Sequence, residues 1–92
     1  MLSFEWDNEK ADENYANHGV SFGFAKLVFE DPFAVERIDD RHDYGEERFI
    51  LIGTARTDVL FVVYTERGES IRLISARRAT KQESDDYVQQ NF

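Results

Sequence analysis

Apolar and polar residues alternate over residues 2–6 (LSFEW), give way to a helical spacing, and alternate again after Pro32. Alternation marks a half-buried strand, and a spacing of three to four marks an amphipathic helix. Asp7 is an N-cap for a helix over residues 8–17, with Lys10, Ala11, Tyr15 and His18 on one stripe. Gly19 stands where a left-handed residue ends a helix. Ser21 caps a second helix over residues 22–30, whose Phe24, Ala25, Leu27, Val28 and Phe29 form a broad apolar face. Asp31-Pro32 stops it, because the residue before proline leaves the helical region.

Four strands follow, over residues 33–38, 47–55, 59–66 and 71–76. The links at 56–58 and 67–69 are short and polar, which suits antiparallel hairpins, while 39–46 (DDRHDYGE) is a longer charged loop. Thr80 and Glu83 make a capping box for a last, weakly apolar helix over residues 80–90. Helices and strands are segregated, which predicts an α+β fold: a small antiparallel sheet of about four to five strands, two N-terminal helices and one C-terminal helix. The strand at 71–76 carries apolar residues on both faces, as a central strand does, and Arg77 and Arg78 close it.

A chain of 92 residues suits one domain, spanning 1–92, with a small core. The absence of cysteine removes disulfides and thiolate metal sites and fits a reducing cytoplasm. No segment resembles a signal peptide or a membrane span, so no membrane partner is expected. The net charge of −8 argues against nucleic acid binding over the whole surface. The cations are unevenly placed, however: all the arginines fall within residues 32–78, where they nearly balance the acids. Arginine is the side chain suited to bidentate contacts with phosphate or carboxylate.

The ligand inventory gives little support to a metal: His18 and His42 lie in different segments, and no HExxH or calcium-loop pattern is present. No serine sits in a nucleophile elbow, and the glycines are scattered, which removes a phosphate loop. Glu47 and Arg48 open one strand, Tyr64 nears the end of the next, and Arg77 and Arg78 close the last. Such a set can cleave RNA without metal: a carboxylate or histidine takes the 2′-hydroxyl proton and arginines stabilise the charge on phosphorus. The same spacing also fits a plain cross-strand ion pair between Glu47 and Arg77. His18 at a helix end has a local role against the dipole, His42 reads as solvated, and Trp6 with the phenylalanines reads as core. Tyr64 fits either base stacking or packing.

Read together, these residues carry a family resemblance. The chain has Phe4, Trp6 and Asp7, then Lys10, Ala11 and Asn14, then His18-Gly19-Val20-Ser21-Phe22. It continues with Ala25, Val28, Phe29, Asp31 and Pro32, then Gly45, Glu46, Arg48, Ile52 and Gly53. Val62-Val63-Tyr64-Thr65 follows, and it closes with Ile71, Arg72, Ile74-Ser75-Ala76-Arg77, Ala79-Thr80, Glu83 and Tyr87. In order and spacing this resembles the BrnT family of toxins, also described as domain of unknown function 497. The resemblance implies a RelE-like fold, ribonuclease activity that blocks translation, and no cofactor. It implies a BrnA-like ribbon-helix-helix antitoxin as partner, with RNA as substrate and operator DNA contacted only through the antitoxin. By matching position it implies His18, Glu46 or Glu47, Arg48 and Arg77 as catalytic candidates, with Tyr64 and Glu46 on the RNA; Arg78, which has no fixed counterpart in the pattern, is a further RNA-binding candidate. Asn17 stands where the family pattern has lysine, which removes one cation. A second reading is a catalytically weak or inactive binding module that serves as antitoxin partner and co-repressor.

Overall fold

Asp7 accepts from the Lys10 amide and opens α1 (Asn8–His18), which Gly19 closes in the left-handed conformation at φ 69°. Residues 2–92 are described in this structure, a computed structural model. Ser21 caps the next segment, but only one turn of it, α2 (Phe22–Ala25), is α-helical; Lys26–Glu30 winds on as a 3-10 helix. The expected single helix over 22–30 is therefore two short pieces. Gly23, Val28 and the aromatic residues of this run are not strong helix formers, so packing rather than propensity sets its winding.

The strands are β1 (Ser3–Glu5), β2 (Val35–Ile38), β3 (Phe49–Ala55), β4 (Asp58–Arg67) and β5 (Ser70–Arg78). They form one five-stranded sheet in the order β1-β5-β4-β3-β2, and α3 (Lys81–Asn91) follows. The fold is α+β, as expected, but the sheet is mixed rather than purely antiparallel: β1 lies parallel to β5, with Phe4 opposite Ile71 and Glu5 opposite Arg72. Nearly the whole chain separates these two strands, so no hairpin dictates their sense. β4, not β5, is central. β5 reads as apolar on both faces because a bulge after Val63 adds Ile74 to its strand: Val63 pairs with Ser75 and Tyr64 with Leu73.

One sheet face packs under α2 and its 3-10 continuation. Val20, Phe22, Ala25 and Val28 meet Leu51, Leu60, Val62, Tyr64 and Leu73 there. The opposite face is apolar only in part, where Ile50, Ile52, Phe61 and Val63 meet Tyr87 of α3. Two side chains take over where an outer strand stops. Beyond Arg72, β1 gives β5 no partner, and Asn14 bonds both backbone groups of Ala76. Beyond Ile52, β2 gives β3 no partner, and Asp31 accepts from the amide and hydroxyl of Thr54 at 2.8 and 3.0 Å. Gly53 allows that approach, since a Cβ there would lie 2.9 Å from Asp31 Oδ2 and from Ala34 Cβ.

Candidate functional site

A cleft of about 400 Å³ opens between α1 and the bulged part of β5. Leu73, Ile74 and Ser75 line it at the bulge, which is where such irregularities re-aim side chains. Lys10, Asn14 and His18 line it from α1, one helical turn apart along a single stripe. Glu46, Arg48, Arg67 and Arg72 line it from the sheet and its loops. Asp7, Glu13 and Asn17 complete it.

Strand parity explains the arginines. Arg48 precedes Phe49, whose ring stacks on Tyr64 in the main core, so alternation turns Arg48 to the other face. The turn at Gly68 pairs Arg67 with Ser70 and Thr65 with Arg72, which turns both arginines to that same face. Arg48 Nε donates to Glu46 Oε2 at 3.1 Å, and Arg67 approaches Glu46 Oε1 at 3.5 Å. Arg72 donates to Glu5 Oε2 at 2.8 Å. The cleft thus gathers four of the eleven cations of a chain whose net charge is −8, against three carboxylates.

The loop beside Arg48 is largely exposed, His42 included, yet it is braced at one point. The buried Asp39 accepts twice from the Arg41 guanidinium, at 2.7 and 2.8 Å, and once from the Tyr44 hydroxyl. Hydrogen bonding from Arg41, against the opposing effect of burial, pulls the Asp39 carboxyl down to about 2. The Asp39 amide donates to the Arg48 carbonyl, and the Arg48 guanidinium lies 4.1 Å from the Tyr44 ring centroid. Arg48 is therefore held on an aromatic face, with a single carboxylate partner and its plane directed by packing.

Of the residues singled out in the sequence, His18, Glu46 and Arg48 line this cleft. The others lie elsewhere. Glu47 is exposed, and its carbonyl accepts from the Thr65 hydroxyl at 2.6 Å. Arg77 faces Phe61 at the far end of β5, with its guanidinium 4.0 Å from that ring. It donates to both oxygens of Glu83, at 2.8 and 3.0 Å, so its ion pair is with α3 and not with Glu47. That hydrogen bonding, working against burial, lowers the Glu83 carboxyl. Arg78 is exposed, 3.7 Å from Asp58 and 3.5 Å from the His18 carbonyl. Tyr64 is buried in the main core between Phe29 and Phe49 and donates to Glu36, so its ring is not free to stack on a base. Burial first, then Glu36, raises its phenol.

Lys10 and Arg72 were named in the sequence only as positions that match the family pattern, Arg67 was not named, and none of the three was a site candidate. The two arginines had a readable signal: a two-residue turn at 68–69 fixes the hairpin register and sets both on the face of Thr65. Among the described residues, no group of three or more His, Cys, Asp or Glu side chains is placed to hold a metal ion. Among them, too, no helix is long and apolar enough to cross a membrane.

No curated protein sequence matches the chain significantly. A family model, described as the ribonuclease toxin BrnT of type II toxin–antitoxin systems, matches residues 6–83. The match takes in every residue that lines the cleft and the whole sheet except β1. The chain belongs to the BrnT family, ribonuclease toxins of type II systems, whose partner is a protein antitoxin.

Proposed function

We propose that this chain cleaves RNA in the cleft between α1 and β5, without a metal ion. The observation that carries this reading is the concentration of Lys10, Arg48, Arg67 and Arg72 around His18 on an otherwise acidic protein. Imidazole is the side chain that ordinarily exchanges a proton near neutral pH, and His18 is the only imidazole that lines the cleft. In this mechanism neutral His18 takes the proton of a ribose 2′-hydroxyl. The 2′-oxygen then bonds to phosphorus, and the bond from phosphorus to the 5′-oxygen breaks. The leaving oxygen takes a proton from water. The products are a 2′,3′-cyclic phosphate and a 5′-hydroxyl. Arg48, Arg67 and Arg72 stabilise the charge that builds on the phosphate oxygens, and Glu46 holds the first two in place.

The wider reading follows the family: a RelE-like toxin that acts in the cytoplasm, blocks translation, and is neutralised by a BrnA-like ribbon-helix-helix antitoxin. Operator DNA is then contacted through the antitoxin, because an acidic surface repels DNA. The test is incubation of purified protein with a single-stranded RNA in EDTA. Cyclic-phosphate products from the wild type, and none from His18→Ala, are expected. One observation favours the second reading, a weak or inactive partner module: Glu46 and Glu5 already occupy three of the cleft's guanidiniums. Intact RNA in that assay, with a tight antitoxin complex, would select it.

A further inference from the structure

Asn14 is the one buried residue of α1. The rest of this helix is weakly anchored: Ala11 is half-buried, and Tyr15 is 59% exposed. The helix is therefore held on the sheet by a carboxamide more than by an apolar stripe. That carboxamide is well used. Its Nδ2 donates to the Val20 carbonyl at 2.9 Å and to the Ala76 carbonyl at 2.8 Å. Its Oδ1 accepts from the Ala76 amide at 3.0 Å. Ala76 thus receives from one side chain what a neighbouring strand would supply, at a point where β1 no longer runs alongside.

Lys10 and His18 stand one turn before and one turn after Asn14 on the face that lines the cleft. We propose that Asn14 is a positioning residue: it clamps α1 to the edge of β5 and so sets the reach of His18 across the cleft to Arg48, Arg67 and Arg72. This rests on the ribonuclease reading above. A clamp of fixed length matters because a misplacement of about 1 Å between reacting groups costs on the order of a hundredfold in rate.

Asn14→Gln is the discriminating variant. It keeps both donors and the acceptor but lengthens the side chain by one methylene. Asn14→Ala removes the clamp, and Val28→Ala is a core truncation away from the cleft. Steady-state cleavage of a short single-stranded RNA is measured below all melting transitions. Asn14→Gln is expected to melt between the wild type and Asn14→Ala, yet to lose at least tenfold in kcat with KM within threefold. Val28→Ala is expected to melt lower and still keep kcat within threefold. Wild-type kcat in Asn14→Gln would overturn the proposal, as would a kcat that simply follows the melting temperature through all three variants. Loss of cleavage in His18→Ala beside normal cleavage in Asn14→Gln would overturn the positioning role and leave the ribonuclease reading intact. Residual dipolar couplings of the backbone amides read the clamp without RNA. In Asn14→Gln the couplings of α1 should change while those of β3 and β4 do not. An unmoved α1 overturns the proposal, whether or not the protein cuts.

Discussion

The sheet face that carries Ile50 and Phe61 uses its arginines in two opposite ways. Under α3, Arg77 lies against Phe61 and is tied to both oxygens of Glu83, which also caps the first turn of the helix. Beside α1, Arg48 and Arg72 each hold one carboxylate contact and border open space. The first arrangement spends its donors on joining a helix to a sheet. The second leaves donors unspent at the cleft. Arg72 and Arg77 share one strand, so residue type and strand position alone do not separate anchor from site; what packs above them does.

The largest effect should come from breaking the open side. Arg48→Ala should reduce RNA cleavage by two orders of magnitude or more, the scale for loss of a charge-stabilising donor, with little change in melting temperature. Arg77→Ala should do the reverse. Its two charge-assisted hydrogen bonds are partly screened, so about 1–2 kcal/mol of stability should be lost in urea unfolding, with cleavage kept within about threefold. If Arg77→Ala stops cleavage while Arg48→Ala does not, the division of this face is drawn the wrong way round.

Acid provides a third test, since Asp39, Asp31 and Glu83 all have lowered carboxyls. For Asp31, burial alone would raise the value, and hydrogen bonds from Tyr87, Thr54 and Phe33 outweigh it. A carboxyl lowered in the folded state binds its proton more readily when unfolded. Its contribution is therefore complete above the unfolded pKa and is lost as pH falls through the folded one. For Asp39 that window runs from about 4 down to about 2. Its partner Arg41 is half exposed, which limits the contribution to about 1 kcal/mol. Asp39→Asn should flatten the acid limb of stability between pH 5 and 2 by about that amount, as followed by urea midpoints. The smallest effect should come from Asn17→Lys, which adds a cation to the cleft. RNA affinity should rise a few-fold, and the slope of log affinity against log salt should steepen by about 0.7, as measured by fluorescence anisotropy.

Local signals in the sequence were informative. Asp7, Ser21 and the Thr80–Glu83 box cap the helices where their side chains predict, and Gly19 ends α1. The hairpins joining β3, β4 and β5 follow from short polar links. Long-range choices were not legible. Nothing local in Ser3–Glu5 specifies a parallel partner at the other end of the chain. The extra residue Ile74 shifts parity midway along β5, and β4 is apolar on both faces, so alternation does not reveal which face buries Tyr64. Glu83 announces itself as a capping residue, but its second partner depends on how α3 folds back over the sheet. Arg48 was legible as a candidate beside the start of a strand, whereas His18 and Glu46 became candidates through the family resemblance. Their meeting with Arg72 required the register.

The parallel pairing of β1 with β5 also orders events in time. During synthesis the N-terminal segment emerges first, yet its strand partner and the Ala76 edge that receives Asn14 come from the last third of the chain. Contacts of such separation form late, because the intervening chain must be closed before they stabilise anything. The wall bearing His18 therefore lacks its support on the sheet until β5 has been made, and the cleft, whose lining runs on to Ser75, is not assembled on a nascent chain before then.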